Sequence, residues 1–403
     1  MKAIVLTLGC PENCLDAKRI ELTFKENGFE IVKDVRDADS IVFNSCALTQ
    51  GCEEASLKII NKINSIKKND AHFIVSGCLP KIDKEALLKV HTGDIVFNDR
   101  LDGLRATCRI DKIFEGSVNE YLLPVKSLER KRGIILSLKR NGLFLPLIKL
   151  WEIFKGGVIC NRAFEHYRNA FPIRVSTGCL GNCNYCAVRI SRGNLRSRPI
   201  HEIKEELKTG YAAGFSEFIL IGTDVGAYGI DLGVNLVELL AEITKEQGDY
   251  KIGIRNLNPK YLIEMLDGFK IILGSGKIFL LFPSVESGSN KVLQNMNRQY
   301  TVEQFKGAMD QIHHEFPDVI LSTQVMVGFP GETKEDFKKT LALFSDLNFS
   351  FVEVYMYESR PGTKSALMGE QIAWNVKKRR YLIALLKLLI LDIRKRLKTP
   401  HVA

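Results

Sequence analysis

The chain has 403 residues, of which 45% are hydrophobic and 26% are charged. This balance is typical of a globular protein with a sizeable core and excludes a disordered or fibrous chain. The formal net charge of +10 favours either a polyanionic partner such as RNA or a solvated basic surface. Ten cysteines are too sparse here for the disulfide scaffold of a small secreted domain. We expect a cytoplasmic protein, because the sequence opens without a secretory signal and no apolar run reaches the ~20 residues of a membrane span.

Strand and helix patterns alternate in the first hundred residues, as in a doubly wound parallel sheet. Cys10, Cys46 and Cys78 each follow a predicted strand, and ligands of such sheets bind outside the carboxyl ends of the strands. The three thiols are therefore predicted to meet at one edge as a candidate cluster site, with buried packing as the alternative. The predicted strands and helices of this region are residues 2–8, 14–27, 40–44, 53–66 and 72–76.

A second series of strands and helices begins near residue 170. Its six βα repeats fit a partial barrel, whose reactive face lies at the carboxyl ends of the strands. The fold prediction is thus an α/β chain, with an N-terminal doubly wound domain (1–125), a linker or insertion (126–168), a partial (β/α)6 barrel (169–370) and a basic helical tail (371–403). The predicted barrel strands are 172–175, 217–221, 251–255, 277–281, 320–327 and 350–357, and the predicted helices include 200–213, 235–246 and 334–347.

The loop after the first barrel strand is the most informative motif of the chain. Cys179, Cys183 and Cys186 have a CxxxCxxC spacing, and thiolate is the ligand that iron–sulfur clusters require. Three thiolates on a four-iron cluster leave one iron open to a small molecule. A zinc site is the alternative, but it needs four ligands, and no fourth cysteine or histidine is close by in sequence. The motif therefore predicts a cluster with one open iron.

This loop, with Tyr185 before its last cysteine, resembles that of the radical S-adenosylmethionine (SAM) enzymes. Cysteines after three upstream strands narrow the resemblance to the methylthiotransferases, over about residues 2–370. The other matching words are Leu8-Gly9-Cys10-Pro11-Glu12-Asn13, Asn44-Ser45-Cys46, Ser76-Gly77-Cys78, Arg192-Gly193, Ser197-Arg198-Pro199, Gly226-Ala227-Tyr228-Gly229, Val327-Gly328-Phe329-Pro330-Gly331-Glu332-Thr333 and Arg360-Pro361-Gly362-Thr363.

The resemblance implies two [4Fe-4S] clusters and SAM as cofactors. The cluster on the loop cysteines binds the amino and carboxylate groups of SAM, and its reduction yields a deoxyadenosyl radical. A second cluster, on the cysteines matching Cys10, Cys46 and Cys78, serves sulfur insertion, and another SAM supplies the methyl group. An electron donor such as flavodoxin or ferredoxin is also implied.

The substrate signals point to two branches of this family. Residues 220–229 and 255–259 resemble the archaeal and eukaryotic enzymes, which act on threonylcarbamoyladenosine next to the anticodon of tRNA. The opening Gly-Cys-Pro-Glu-Asn at residues 9–13 is closer to the ribosomal-protein branch. A methylthiotransferase acting on tRNA is the leading hypothesis. The alternatives are the same chemistry on a ribosomal protein side chain or a small molecule, and a non-catalytic iron–sulfur protein.

A polar triplet after the second barrel strand is the first candidate for binding SAM. Gly222, Thr223 and Asp224 offer a carboxylate that can accept hydrogen bonds from the ammonium group of SAM. The alternative is a turn in which Asp224 caps a helix.

Three further residues have both a binding and a structural interpretation. Tyr185 either stacks near the adenine of SAM or packs as an ordinary aromatic residue. Gly328 either brings exposed backbone to the cofactor or forms a tight turn. Arg360 either faces a substrate phosphate or carboxylate or lies on the surface.

The chain also departs from the family pattern. Residues 282–289 stand where the family has a His, a Pro-Val pair and a Gln before Ser-Gly-Ser, and Gln324 stands where an acidic residue is usual. After residue 368 the alternating strands of the family's C-terminal RNA-binding barrel are missing. RNA affinity is then expected to depend on clusters such as Arg192, Arg196 and Arg198.

Overall fold

The structure is a computed structural model and describes residues 1–97, 102–108, 110–112 and 170–398. The chain forms two compact units. The first contains the described residues up to 243 together with 358–367, and the second contains 244–357 and 368–398. The predicted linker 126–168 lies outside the described residues.

The N-terminal sheet of the first unit has five parallel strands in the order β2-β1-β3-β4-β5. The order reverses between β1 and β3, and this switch point is where open parallel sheets form a ligand-binding crevice. The strands are β1 (Lys2–Thr7), β2 (Glu30–Ile31), β3 (Ser40–Ser45), β4 (His72–Gly77) and β5 (Asp94–Ile95), and the helices are α1 (Pro11–Glu26), α2 (Gln50–Ile66), α3 (Leu79–Ile82), α4 (Lys84–Leu88) and α5 (Asp102–Cys108).

Hydrophobic cores cover both faces of this sheet, because successive residues of a strand point to opposite sides. Ile41 and Phe43 of β3 pack with Ile60 of α2 in one core, whereas Val42 packs with Phe24 of α1 in the other. Helices therefore lie on the two faces, and the predicted doubly wound arrangement is confirmed.

The remainder of the first unit holds two strand pairs. β6 (Phe171–Arg174) and β9 (Glu217–Ile221) are parallel, and β7 (Ser176–Thr177) and β8 (Arg196–Ser197) are antiparallel. The loop that carries Cys179, Cys183 and Cys186 lies between β7 and β8, so this small ladder fixes both of its ends. The helices that follow are α6 (Ala187–Arg192), α7 (Ile200–Ala212) and α8 (Leu236–Thr244).

The second unit contains four parallel strands, paired in chain order from β10 to β13. Gln324 of β12 lies opposite Glu353 of β13 in this register. The strands are β10 (Lys251–Leu257), β11 (Ile278–Pro283), β12 (Ile320–Val327) and β13 (Phe351–Met356), and the helices are α9 (Pro259–Glu264), α10 (Leu266–Leu273), α11 (Asn290–Asn295), α12 (Val302–Glu315), α13 (Lys334–Asp346) and α14 (Trp374–Lys398).

All nine predicted strands are present within one or two residues of their predicted ends. The strands β2, β5, β7 and β8 were not predicted, because a two-residue strand has no periodicity to detect. The basic tail forms the single helix α14 as far as Lys398. Among the described residues, the helices are too short or too polar to cross a membrane.

Candidate functional site

The first unit brings Cys10, Cys46 and Cys78 together at the carboxyl edge of the N-terminal sheet. Cys10 precedes α1, Cys46 follows β3 and Cys78 follows β4. Each thiol is close enough to another for their charges to interact, Cys10 with Cys78 and Cys46 with Cys78. Because β1 and β3 flank the point where the strand order reverses, these three residues (the N-terminal trio) lie in the expected crevice.

Asn13 connects the loops that carry two of these cysteines. Its Nδ2 donates to the carbonyl oxygens of Leu8 and Ser45, at 2.9 and 3.0 Å. Gly9 allows the close approach of these loops, since a Cβ there would lie 3.0 Å from Cys46 Sγ. The geometry around the N-terminal trio is therefore fixed by backbone and amide contacts rather than by the thiols themselves.

Burial is the main electrostatic influence on these thiols, because it disfavours the charged thiolate. It raises the pKa of Cys10 to about 12, with the Glu12 carboxylate adding to the shift, and the pKa of Cys46 to about 11. The pKa of Cys78 is raised as well, chiefly by burial. Such thiols stay protonated near neutral pH, so a metal must displace their protons in order to bind.

The CxxxCxxC loop is held by its own backbone and by Arg189. Cys179 N donates to Gly193 O at 3.2 Å, and Arg189 Nη1 donates to Gly181 O at 2.8 Å. A Cβ on Gly181 would lie 3.0 Å from Cys179 Sγ and 3.9 Å from Cys183 Sγ. Gly181 therefore leaves a space beside these sulfurs that any other residue would partly fill.

Asp224 contacts this loop and also caps a short helix. Its Oδ2 lies 3.7 Å from Cys179 Sγ, while its Oδ1 accepts from Gly226 N at 3.1 Å at the start of the 3-10 helix Val225–Ala227. Burial and the neighbouring Asp224 carboxylate together raise the pKa of Cys179 to about 12. The capping role is therefore present, and the carboxylate also faces the cysteine loop.

The other two residues of the polar triplet lie beside Asp224. Thr223 Oγ1 lies 3.3 Å from Glu12 Oε2. A Cβ on Gly222 would lie 2.8 Å from Ser176 Oγ, a buried hydroxyl that has no hydrogen-bond partner among the described residues. A buried hydroxyl that lacks a hydrogen-bond partner is suited to form a hydrogen bond with a bound group.

Arg360 is buried in the first unit and is not a surface residue. It is 5% exposed and its Nη2 forms an ion pair with Glu53, while its charge lowers the pKa of Cys46 in opposition to burial. Its Nε has no hydrogen-bond partner among the described residues. Tyr185 is half-buried in the cysteine loop. Gly328 belongs to the second unit, where its N donates to Glu332 Oε2 at 2.8 Å.

Arg192 corrects the expectation of a surface arginine cluster. It is 8% exposed and forms an ion pair with Asp16 of α1, so it is not available to RNA. Arg198 pairs with Glu206, and Arg196 is exposed. Asp16 was not predicted from the sequence, although a charged residue on an otherwise buried helix face was a usable signal.

The donor set suits an iron–sulfur cluster better than a single metal ion. In the described parts of the chain, no three His, Cys, Asp or Glu side chains are arranged around a point that one ion can occupy. Ligands of a cluster bind different irons and so lie further apart than ligands of one ion. The all-thiol donor sets of the two trios, with the space beside Gly181 in the loop trio, fit iron–sulfur clusters.

Comparisons with known proteins agree with this geometry. Residues 173–344 match the model of the Radical SAM superfamily, and residues 2–98 match that of Uncharacterized protein family UPF0004. A probable threonylcarbamoyladenosine tRNA methylthiotransferase of Pyrococcus abyssi is 30% identical over 396 residues, covering 97% of this chain and 84% of that protein. The threonylcarbamoyladenosine tRNA methylthiotransferase MtaB of Thermotoga maritima is also 30% identical, over 94% of this chain and 80% of its own length.

The fold agrees with that of a solved radical SAM enzyme. The radical SAM methyltransferase TsrM of Kitasatospora setae superimposes with a TM-score of 0.59 at 13% identity, covering 91% of this chain and 74% of that one. This likeness supports the α/β fold with a radical SAM domain. The relatives at 30% identity, together with the match to the Radical SAM superfamily, show that the chain is an enzyme of the radical SAM methylthiotransferase family.

Proposed function

We propose that this enzyme adds a methylthio group to threonylcarbamoyladenosine in tRNA and uses a second iron–sulfur cluster for sulfur insertion. The observation that carries the proposal is the presence of two separate cysteine trios in one unit of the chain, one at the ends of β1, β3 and β4 and one in the loop between β7 and β8. Relatives named for this substrate match almost the whole chain at about 30% identity. One trio is enough to bind and cleave SAM, so the second trio needs its own function.

The loop trio, Cys179, Cys183 and Cys186, is assigned to the cluster that binds SAM. When bound, that cluster supplies the electron that splits the sulfonium. The chain orients SAM through the Asp224 carboxylate, which faces Cys179 and accepts hydrogen bonds from the SAM ammonium group. Thr223, next to it in the chain, contributes a hydroxyl.

The other candidate residues have roles at the edges of this site. Tyr185 lies in the loop between Cys183 and Cys186 and is assigned to the adenine of SAM. Gly328, whose N donates to Glu332 Oε2 at 2.8 Å, stays a prediction for backbone contact with the cofactor. Arg360, ion-paired with Glu53, is assigned to a substrate phosphate or carboxylate that replaces part of this pairing.

Two partners are proposed, tRNA from the charge of the chain and an electron donor from the need to reduce the loop cluster. A net charge of +10 favours association with the tRNA phosphates. A reductant of the flavodoxin or ferredoxin class is the matching electron donor, since the loop cluster must be reduced before SAM is cleaved.

The test separates the two trios by iron content and by product. Anaerobically reconstituted wild-type protein is expected to bind about eight irons. Cys10→Ala is expected to retain about four, to cleave SAM to deoxyadenosine, and to form no methylthiolated nucleoside. Cys14→Ala is the matched control, because Cys14 lies in the first turn of α1, which begins directly after Cys10, and is exposed. A Cys10→Ala protein that still forms methylthiolated tRNA would falsify the assignment of the second cluster.

A protein substrate is the second candidate, because residues 9–13 resemble the ribosomal-protein branch. Mass spectrometry of tRNA nucleosides from strains with and without the gene distinguishes the two. Loss of the methylthiolated nucleoside in the deletion strain supports tRNA. Unchanged nucleosides, together with loss of a methylthio group from a ribosomal protein, support the alternative.

A further inference from the structure

Arg192 joins the two parts of the candidate site. It is the last residue of α6, the helix that begins directly after Cys186, so it is part of the segment that carries the loop trio. Its side chain nevertheless points to the N-terminal trio and is 5% exposed. A buried guanidinium this far from its own loop needs a specific reason, because burying a charge is costly unless it is paired.

Within the described residues, Arg192 pairs with two side chains of α1. Nη1 forms an ion pair with Asp16, and Nη2 donates to Asn13 Oδ1 at 2.6 Å. Asp16 uses its other oxygen to bind Arg174 Nη1 at 2.8 Å. Asp16 thus has two cations, and it remains paired when one of them is removed.

Asn13 connects Arg192 to the cysteines of the N-terminal trio through hydrogen bonds. Its Oδ1, which accepts from Arg192, also accepts from Cys78 Sγ at 3.8 Å. Its Nδ2 binds the carbonyl oxygens of Leu8 and Ser45, next to the loops of Cys10 and Cys46. One side chain therefore contacts the surroundings of all three thiols and is itself oriented by Arg192.

The charge of Arg192 acts on the same three thiols. It favours the thiolate of Cys10, of Cys46 and of Cys78, lowering the pKa of each in opposition to burial. Arg360 has this effect on Cys46. Asp16 acts in the opposite direction on Cys78. Glu12 also opposes Arg192, at Cys10 and Cys78. The electrostatic potential at the N-terminal trio therefore depends on the balance between Arg192 and the carboxylates of Asp16 and Glu12.

We propose that Arg192 is a positioning residue that sets the reduction potential of the iron–sulfur cluster held by Cys10, Cys46 and Cys78. The inference rests on the proposed second cluster. A fixed positive charge favours the state with one more electron, so Arg192 makes the cluster easier to reduce. Arg192 belongs to the helix that follows Cys186 of the loop trio. The reduction potential of the cluster on the N-terminal trio therefore depends on the position of the segment that carries the loop trio.

The test is a potentiometric titration of the anaerobic holoenzyme, followed by electron paramagnetic resonance. The added reductant donates one electron to the cluster, and a protein lacking the N-terminal trio identifies its signal. Arg192→Met is expected to lower the ratio of reduced to oxidised cluster at least tenfold at a fixed potential, which is about 59 mV for a one-electron couple. Arg192→Lys, which keeps the charge, is expected to shift the midpoint potential of the cluster less.

Substitution of Asp16, the carboxylate partner of Arg192, distinguishes an electrostatic role of Arg192 from a purely structural one. Asp16→Asn is expected to shift the midpoint in the opposite direction, and the Asp16→Asn, Arg192→Met double variant to return towards wild type. Lys208→Met is the control for loss of a distant charge, because Lys208 is on α7 and pairs with the exposed Glu205. Should Arg192→Met fail to fold, the opposite shift in Asp16→Asn still tests the proposal.

Two outcomes overturn different claims. Wild-type protein with only about four irons contradicts the second cluster itself. Wild-type protein with about eight irons, together with an Arg192→Met midpoint that is unchanged or moves no more than that of Lys208→Met, contradicts the role of Arg192 alone. A midpoint that moves the same way in Arg192→Met and Asp16→Asn indicates general structural damage and also contradicts the proposal.

Discussion

Gln324 donates a hydrogen bond from its Nε2 to Oε1 of Glu286, over 2.8 Å. These are two of the positions at which the chain departs from the pattern of the family it resembles. Glu286 is 2% exposed and has a φ of 66°, in the left-handed region that is costly for a residue other than glycine. The amide and the carboxylate have exchanged places relative to that pattern, so the pair still contains one of each.

This relationship predicts how the two positions respond to substitution. Gln324→Glu places two carboxylates at hydrogen-bond distance in a buried site, and we expect it to lower the free energy of unfolding by about 2 kcal/mol at neutral pH. The double variant Glu286→Gln, Gln324→Glu keeps one amide and one carboxylate, and is expected to recover most of that loss. Urea unfolding measures both values. A double variant as unstable as the single one would contradict the exchange.

A second prediction concerns the space beside the loop cysteines. Gly181→Ala puts a Cβ 3.0 Å from Cys179 Sγ, so we expect it to reduce the iron bound by the loop trio and with it the formation of deoxyadenosine. Gly369→Ala is the control, because a Cβ there meets no atom within 4 Å. Iron content and the SAM-dependent change in the paramagnetic signal are the measurements. Full iron loading in Gly181→Ala would show that the space is not needed.

A third prediction concerns the buried pair of Glu332 and Arg380, which ties α14 to the loop after β12. Glu332 Oε2 accepts from Arg380 Nη1 at 2.6 Å and from Gly328 N at 2.8 Å. Removal of one partner from a buried pair leaves an uncompensated charge. Arg380→Met is therefore expected to cost about 3 kcal/mol at pH 7, measured by urea unfolding. The neighbouring exposed Arg379→Met is the control.

The pH dependence of that loss follows from the carboxyl group. Burial raises the pKa of Glu332 above its usual 4.5, although Gly328 N and Arg380 oppose the shift. A raised pKa means that the folded state binds the proton more tightly, so this stabilising contribution is present below pH 4.5 and is lost as pH rises through the folded pKa. Without Arg380 the folded pKa rises further. The deficit of Arg380→Met is therefore expected to grow as pH rises above 4.5 towards neutrality, and a deficit independent of pH would contradict this account.

A fourth prediction is a stabilising substitution at Gly307. This glycine is exposed in the interior of α12, and a Cβ there meets no atom within 4 Å. Glycine costs an exposed helix about 0.5–1 kcal/mol relative to alanine, because it loses more backbone entropy on folding. Gly307→Ala is expected to raise the free energy of unfolding by this amount without changing iron content. Thermal and urea unfolding of the holoenzyme measure it, and a destabilised variant would show that the helix needs the glycine.

The sequence by itself determined the architecture and the cysteine positions. The strand from 320 to 327 and the helix beginning at 200 were predicted from local periodicity, because runs of apolar residues and the turns between them are local properties. The convergence of Cys10, Cys46 and Cys78 also followed, since parallel strands align their carboxyl ends.

Only the tertiary structure decided which charged groups meet. Arg192 and Asp16 are 176 residues apart in sequence, and Arg360 and Glu53 are 307 apart. No local pattern encodes such a pair, because each side chain is selected by a buried environment that exists only after distant segments pack. For that reason the sequence suggested Arg192 as a surface contact for RNA, whereas the fold buries it beside the N-terminal trio.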